Sequence, residues 1–298
     1  MSRLTMHWWK SLKGKVKTRE PLRDHTTFKI GGPARFFVEP KDIRDLRLLL
    51  YFKKRYKLPI FILGAGSNIL AGDKGVKGVV LHLGSLYFKR VFFRNNFIEA
   101  GSAVLLSRAI RLSGERGLSG LEYLAGIPGS IAGALAMNAA VADKAIADLV
   151  ENVTVMDYNG KVKVLHKKDL RFGYRKSNLT KYLILSVCLK LARKNKRRIQ
   201  EEAMRRLRRR WLTQDLSLPS AGCVFRNPKH DSAGRLIDLC GLKGKVAGGA
   251  AISLKHANFI VNAGRARAKD VLRLMDLAKK EVRKKFGIIL EPEIKIWK

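Results

Sequence analysis

The chain has little cysteine, little acid and no long apolar run. Its three cysteines, Cys188, Cys223 and Cys240, include no CxxC pair. That leaves no basis for a disulfide framework or a zinc–cysteine cluster, and a reducing cytoplasm is the expected setting. Asp and Glu number 24 against 61 Lys and Arg, a formal net charge of +37. Such a field attracts polyanions and helps collect anionic nucleotides. It reads first as a solvated lysine- and arginine-rich surface, with no specific nucleic-acid partner. A nucleic-acid reading would need a compact arginine footprint, with Arg205–Arg210 as the candidate, and salt-sensitive binding that depends on it.

Met1–Lys17 carries Trp8 and Trp9 but no continuous apolar segment, so no signal peptide is expected. Leu124–Ala142 is apolar but rich in Ala and Gly, with Pro128 near its start. A spanning helix needs about 20 predominantly apolar residues. The stretch reads instead as close-packed backbone around a ligand, and no membrane insertion is expected. His256 lacks an HxH, HExxH or adjacent acidic pair, so no metal site is expected. With 298 residues and 46% hydrophobic content, the chain can bury a core spread over two or three domains.

The pattern is α+β in three sections, 1–59, 60–192 and 193–298. The first has a short strand at Ala34–Glu39 and a helix whose inner face is Ile43, Leu46, Leu49 and Leu50, closed by Pro59. Pro59–Leu63 reads as a buried strand. Short glycine-broken strands follow at Gly78–Leu83, Phe97–Ala100, Val153–Tyr158, Val162–Leu165 and Tyr182–Leu191, with Asn159-Gly160 as a hairpin turn. Helices interrupt them at Leu105–Ser113 and Ile131–Asn138. Lys194–Gln214 is a basic linker helix, with Ile199, Ala203, Leu207 and Trp211 expected to pack and its arginines to face water. A last helix spans Lys269–Phe286, with Val271, Leu274, Ala278 and Val282 inward and Gly287 at its cap. Ile288–Trp297 is expected to return as a strand, with the N-terminal subdomain a candidate destination.

Two glycine segments suggest a phosphorylated ligand. Gly64-Ala65-Gly66-Ser67-Asn68 follows a strand, where a tight turn exposes backbone N–H groups. It is neither GxGxxG nor GxxxxGK[ST]. Gly126-Ile127-Pro128-Gly129-Ser130, continuing to Gly133, adds a second stretch that permits close approach. Two such segments about 60 residues apart fit one extended dinucleotide, and flavin adenine dinucleotide (FAD) is the candidate.

The reacting groups lie elsewhere. Cys223 stands in a turn bounded by Pro219, Gly222 and Pro228. An ordinary thiol titrates near pH 8.5 and stays mostly protonated at neutrality, which suits a general acid. Arg175 offers a fixed, rigid cation for a carboxylate or enolate oxygen. Glu293 offers a carboxyl that either donates when protonated or orients a neighbour when ionised. Lys255 and Asn258 are candidates to hold a ligand or fix backbone geometry. Cys188 and Cys240 read as inert buried thiols.

Taken together, these stretches resemble the UDP-N-acetylenolpyruvoylglucosamine reductase family, a flavoenzyme family of peptidoglycan precursor synthesis. The resemblance runs from about Pro21 to Ile296. It rests on Thr27–Ala34, Leu63–Leu70, Gly120–Glu122 with Ala125–Gly133, Arg171–Arg175, Pro219–Pro228, Gly234–Asp238, Gly241–Gly244, Lys255–Asn262 and Leu290–Glu293. It implies a two-part FAD-binding module of the PCMH/vanillyl-alcohol-oxidase-like type, followed by a C-terminal α+β substrate-binding domain. It further implies that NADPH reduces the flavin and that hydride then reaches C3 of the enolpyruvyl group of UDP-N-acetylglucosamine enolpyruvate. By the same resemblance Arg175 and Glu293 stabilise the enolate-like intermediate, Cys223 protonates C2, and Tyr174 and Asn227 touch substrate. A monomer is expected.

Two departures stand out. Many members have serine where this chain has Cys223, which predicts sensitivity to alkylation. The glycine and tyrosine common after Met-Asn are absent from Ala139–Asp143. The short span between Arg175 and Tyr182 matches the shorter subtype, without the extra tyrosine-bearing loop. Another flavin oxidoreductase of the same broad fold would share the glycine segments but would not require Arg175, Cys223 and Glu293 together.

Overall fold

The computed structural model describes residues 7–298, so the Met1–Met6 part of the N-terminal reading lies outside the described residues. The chain divides into two compact units, each drawn from separate stretches. The first comprises the chain up to Thr18, Phe36–Ala65 and Gly78–Arg208; the second comprises Arg19–Arg35, Gly66–Lys77 and Arg209–Lys298.

The first unit holds most of two sheets. One has the order Lys15–Pro21, Pro33–Glu39, Val76–His82, Ile60–Leu63, and its last pair is parallel. Helix α1 (Ile43–Arg55) covers it. The Asp42 side chain accepts from the Arg44 and Asp45 amides at its start, and Leu46, Leu49 and Leu50 pack among Trp8, Phe36 and Leu81. Ile60–Leu63 is less buried than expected: it is the edge strand, and Ile62 is 42% exposed.

The other sheet is antiparallel, in the order Val162–His166, Val150–Met156, Leu183–Lys190, Phe97–Gly101, Val91–Arg94. The expected hairpin turn is present: Gly160 takes φ 84° and donates to Asp157 O at 2.9 Å. Helices α2 (Leu106–Glu115) and α3 (Ile131–Ala136) close its core around Ile98, Ile110, Leu135, Val153 and Val187. Helix α3 stops short of Asn138, which turns to φ 45°.

The linker helix α4 runs Lys196–Thr213, and its packed face differs from the expected one. Ile199 is buried, but Trp211 is 56% exposed and Arg210 lies half-buried. At about 100° per residue, a four-residue spacing drifts roughly 40° per step, so Trp211 ends roughly 120° from Ile199. Arg210, eleven residues on, returns to within roughly 20° of it.

The second unit holds an antiparallel sheet in the order Ser220–Cys223, Phe259–Asn262, Ala250–Ile252, Val246–Ala247. Helices α5 (Ala233–Leu239) and α6 (Ala268–Phe286) pack on it. Val271, Leu274, Ala278 and Val282 of α6 are buried as expected, and Gly287 caps the helix at φ 70°. Asp73 binds its first amides, Ala268 N at 2.8 Å and Lys269 N at 3.2 Å. The expected C-terminal strand is shorter: Lys295–Trp297 pairs in parallel with Ile69–Ala71, and before it only Pro292 bridges, to Phe225. A proline there has no N–H to continue the ladder. No helix among the described residues is long and apolar enough to cross a membrane.

Candidate active site

The two glycine segments meet within the first unit at Gly64 and Ser130. A Cβ on Gly64 would come within 2.9 Å of Ser130 Oγ, which also accepts from Gly133 N at 3.2 Å at the start of α3. Gly129, Ile131 and Ala132 are tied to the stretch after Phe97–Gly101: Leu106 N donates to Gly129 O, Ile131 N to Val104 O and Ala132 N to Ser102 O. Ser102, 3% exposed, has a hydroxyl with no hydrogen-bond partner among the described residues. Gly66 lies across the division, in the second unit. It takes φ 68° and accepts from Thr27 N at 3.1 Å; a Cβ there would strike His25 O at 2.1 Å. Asn68 next to it donates from Nδ2 to Glu293 O at 3.3 Å.

Tyr174 and Arg175 form the two-residue turn between the strands Phe172–Gly173 and Lys176–Ser177. Arg175 holds φ 53°, which a side chain with a Cβ rarely adopts. Its guanidinium stands 5.3 Å from the centre of the Tyr174 ring. Two side chains moor this hairpin to the end of α3: Asn138 Nδ2 donates to Gly173 O at 3.2 Å, and Ser177 Oγ donates to Ala136 O at 3.0 Å. Ala142 also takes positive φ, 54°.

Cys223 ends the strand Ser220–Cys223, opposite Phe259, just after a bulge at Gly222, whose φ is 75°. Thr27 Oγ1 donates to Ser220 O at 2.7 Å. Past the cysteine, the Asn258 side chain clamps one residue from both sides: Oδ1 accepts from Phe225 N at 2.9 Å and Nδ2 donates to Phe225 O at 2.8 Å. Glu293 N donates to Val224 O at 2.8 Å, so the carboxyl-bearing and thiol-bearing residues lie on neighbouring backbone. Arg226 N donates to Glu291 O and extends the pairing.

The structure therefore brings Cys223, Glu293 and Asn258 together in the second unit, and Gly64, Ser130, Tyr174 and Arg175 belong to the first. Asn258 is 1% exposed and its amide is fully engaged with Phe225. Asn227 Oδ1 accepts from Ala233 N at 3.1 Å, at the start of α5. Lys255 Nζ donates to Trp211 O. No group of three or more metal-ligating side chains occurs among the described residues. His256 accepts from Asn258 N through Nδ1 at 3.2 Å, and burial holds its pKa below the ordinary value.

Arg210 is the residue that spacing by four conceals. Burial lowers its pKa and the ionised Cys223 sulfur would raise it, which places the guanidinium in the electrostatic neighbourhood of the thiol. Its Nε has no hydrogen-bond partner among the described residues. A search along α4 for residues in line with Ile199 would have found it.

Comparison with known proteins accords with this arrangement. Residues 34–166 match an FAD-binding domain, and residues 214–297 match the UDP-N-acetylenolpyruvoylglucosamine reductase C-terminal domain. The chain is 39% identical over 287 residues to UDP-N-acetylenolpyruvoylglucosamine reductase of Desulforamulus reducens, covering 96% of this chain and 94% of that one. It is 43% identical over 278 residues to the enzyme of that name from Caldicellulosiruptor bescii, covering 92% and 88%. The crystal structure of the Thermus caldophilus reductase superposes with a TM-score of 0.81 at 36% identity, over 96% of this chain and 100% of that one. With an FAD-binding fold, the matching C-terminal domain and relatives that span almost its whole length, the chain belongs to the UDP-N-acetylenolpyruvoylglucosamine reductase family.

Proposed function

We propose that the chain reduces the enolpyruvyl group of UDP-N-acetylglucosamine enolpyruvate to give UDP-N-acetylmuramate, in the cytoplasm and as a monomer, with NADPH as hydride source. The observation that carries the reading is the 2.8 Å bond from Glu293 N to Val224 O. It joins the backbone of the carboxyl-bearing residue to that of the residue after the thiol, in a chain that also carries an arginine at positive φ on a moored turn.

The glycine segments fit FAD. Of the candidate contacts Gly64, Ala65, Gly66, Ser67 and Asn68, with Gly126, Ile127, Pro128, Gly129, Ser130 and Gly133, Gly64 and Gly66 are bare backbone where a Cβ would intrude, and the unpartnered Ser102 hydroxyl belongs to the residue whose carbonyl accepts from Ala132 N. When bound, the flavin supplies a two-electron carrier between NADPH and C3 of the enolpyruvyl group.

The side chains account for the rest. Hydride addition at C3 leaves an electron pair at C2, delocalised into the adjacent carboxylate. Arg175 neutralises that charge with a rigid guanidinium cation. Glu293 supplies a carboxyl to stabilise the developing enolate. The Cys223 S–H gives its proton to C2 and leaves a thiolate, which water reprotonates before the next turnover. Arg210 supports that thiolate electrostatically. Tyr174, Asn227 and Lys255 hold the substrate, and Asn258 holds the Cys223 strand in place through Phe225.

The test is anaerobic absorbance at the flavin bands. One equivalent of NADPH should bleach them, and UDP-N-acetylglucosamine enolpyruvate should restore them. Bleaching without substrate-dependent recovery would assign the chain to a different flavin reaction. Protein that fails to take up flavin on reconstitution would defeat the reading altogether.

A further inference from the structure

A cleft of about 900 Å³ opens in the first unit, lined by α4 and by the far end of the strand Leu183–Lys190. It contains none of the residues given a role above. Backbone bonds fix its distance from the glycine segments. Leu185 O accepts from Ser102 N, and Ser102 O accepts from Ala132 N, so that end of the strand adjoins the second glycine segment. Lys190 and Leu191 line the cleft. Five residues of extended chain separate Leu185 from Lys190, about 17 Å.

The walls carry cations in excess of what they pair with. Lys144, Lys190, Lys194 and Arg198 line the cleft, and none has a carboxylate partner among the described residues. The carboxylates there are already engaged. Glu122 accepts from Ser119 Oγ at 2.5 Å and from Gly120 N at 2.6 Å, and Asp148 accepts from Ala145 N at 2.8 Å. Glu201 and Glu202 pair with arginines of α4 itself. Leu149 and Leu191 supply an apolar floor.

Tyr123 is the second, independent sign of a ligand. It lines the cleft at 8% exposure, and its hydroxyl has no hydrogen-bond partner among the described residues. Burial, reinforced by the charges of Asp148 and Glu122, pushes its pKa up, so the group is an O–H donor at neutral pH. A buried donor left without an acceptor costs stability that a ligand oxygen would restore. Four available cations, one available O–H, an apolar floor and a volume within the range of metabolite pockets select for anionic oxygens on a compact body.

We propose that this cleft binds a phosphorylated small molecule, its phosphate oxygens held by Lys190, Lys194 and Arg198 and by a hydrogen bond from Tyr123. The bland alternative is a solvated basic face that attracts any anion diffusely.

Calorimetric titration of the flavin-loaded protein with inorganic pyrophosphate separates the two. Saturable one-to-one binding is expected, weakened at least about tenfold by the double variant Lys194→Ala/Arg198→Ala and about threefold or more by Tyr123→Phe. A charge-matched double variant on the exposed face of α6, Lys280→Ala/Lys284→Ala, should bind as the parent does. Equal weakening by both double variants would reduce the effect to the overall +37 field and overturn the proposal. Unchanged affinity in Lys194→Ala/Arg198→Ala, or no saturable binding at all, would overturn it too. The exchanged cations are exposed and Phe retains the Tyr123 ring, so these variants should fold. The readout is binding alone, so it stands whatever the chain reduces.

Discussion

Arg175 occupies a two-residue turn at φ 53°, moored by the side chains of Asn138 and Ser177. Cys223 sits in a sheet ladder, paired with Phe259, with Asn258 gripping the backbone two residues on and Glu293 hydrogen-bonded to Val224. The first arrangement holds a long cation on strained backbone, of order 1–2 kcal/mol for a residue with a Cβ. The second holds a short thiol on unstrained, cross-linked backbone. The contrast suits the chemistry proposed for them. An arginine reaches charge over a distance, whereas a proton donor must stand within about 3 Å of the atom it protonates.

The sharpest way to break the comparison is to remove the thiol proposed as proton donor. Cys223→Ala should leave flavin reduction by NADPH intact and slow substrate-dependent reoxidation about 10²–10⁴-fold, the range for loss of a general acid. Cys223→Ser should keep most of the rate and lose the sensitivity to alkylation. Stopped-flow measurement of the two half-reactions separates these outcomes. Full activity after stoichiometric alkylation of Cys223 would eliminate the thiol as the proton donor.

Arg175→Gly tests the other arm, with effects of opposite sign. Reoxidation should slow about 10²–10³-fold as charge stabilisation is lost. Stability should rise by about 1 kcal/mol, because glycine takes positive φ without a Cβ clash. A urea unfolding series reads the second effect. A loss of stability together with activity would mean that the turn conformation contributes to folding and is not strain held at a functional position.

Asn258→Ala should loosen the Cys223 strand. It leaves Phe225 N and O without their present partners in a buried setting, at roughly 1–3 kcal/mol each before relaxation. A loss of about 2–4 kcal/mol in urea unfolding, with slower reoxidation and normal flavin reduction, is the expected pattern. Slower flavin reduction would place Asn258 outside the role given to it here.

The features legible in the sequence were those set by local periodicity or turn chemistry. The inward face of α6, its Gly287 cap and the Asn159-Gly160 hairpin each depend on residues within a few positions of one another. The segments around Cys223, Arg175 and Glu293 stood out as motifs because glycine or proline falls beside a charged or titratable group. The clamp was not. Asn258 and Phe225 are 33 residues apart, and only sheet pairing brings them together. Arg210 was hidden for a different reason, since spacing by four accumulates error over three helical turns. The make-up of the second unit was also out of reach, because it recruits Arg19–Arg35 and Gly66–Lys77 across long separations.

The smallest expected effect comes from pH and acts on only one side of the comparison. His256 lies half-buried two residues before Asn258, and its Nδ1 accepts from Asn258 N. Burial lowers its pKa in the folded state, with the Lys243 charge acting the same way and a backbone hydrogen bond opposing. The unfolded chain, titrating near 6.5, therefore binds the proton more readily, and stability falls as pH drops below that value toward the folded pKa. Protonating Nδ1 also removes the acceptor that Asn258 N uses. Melting temperature should thus decline between pH 7.5 and pH 5.5, and the slope should flatten in His256→Asn, whose side-chain oxygen can accept at a similar position without titrating. If parent and variant share the same slope, the Cys223 strand is held by the Asn258–Phe225 bonds without help from the neutral imidazole. The Cys223 arm would then be insensitive to pH in its framework, and any pH dependence of turnover would belong to the reacting groups themselves.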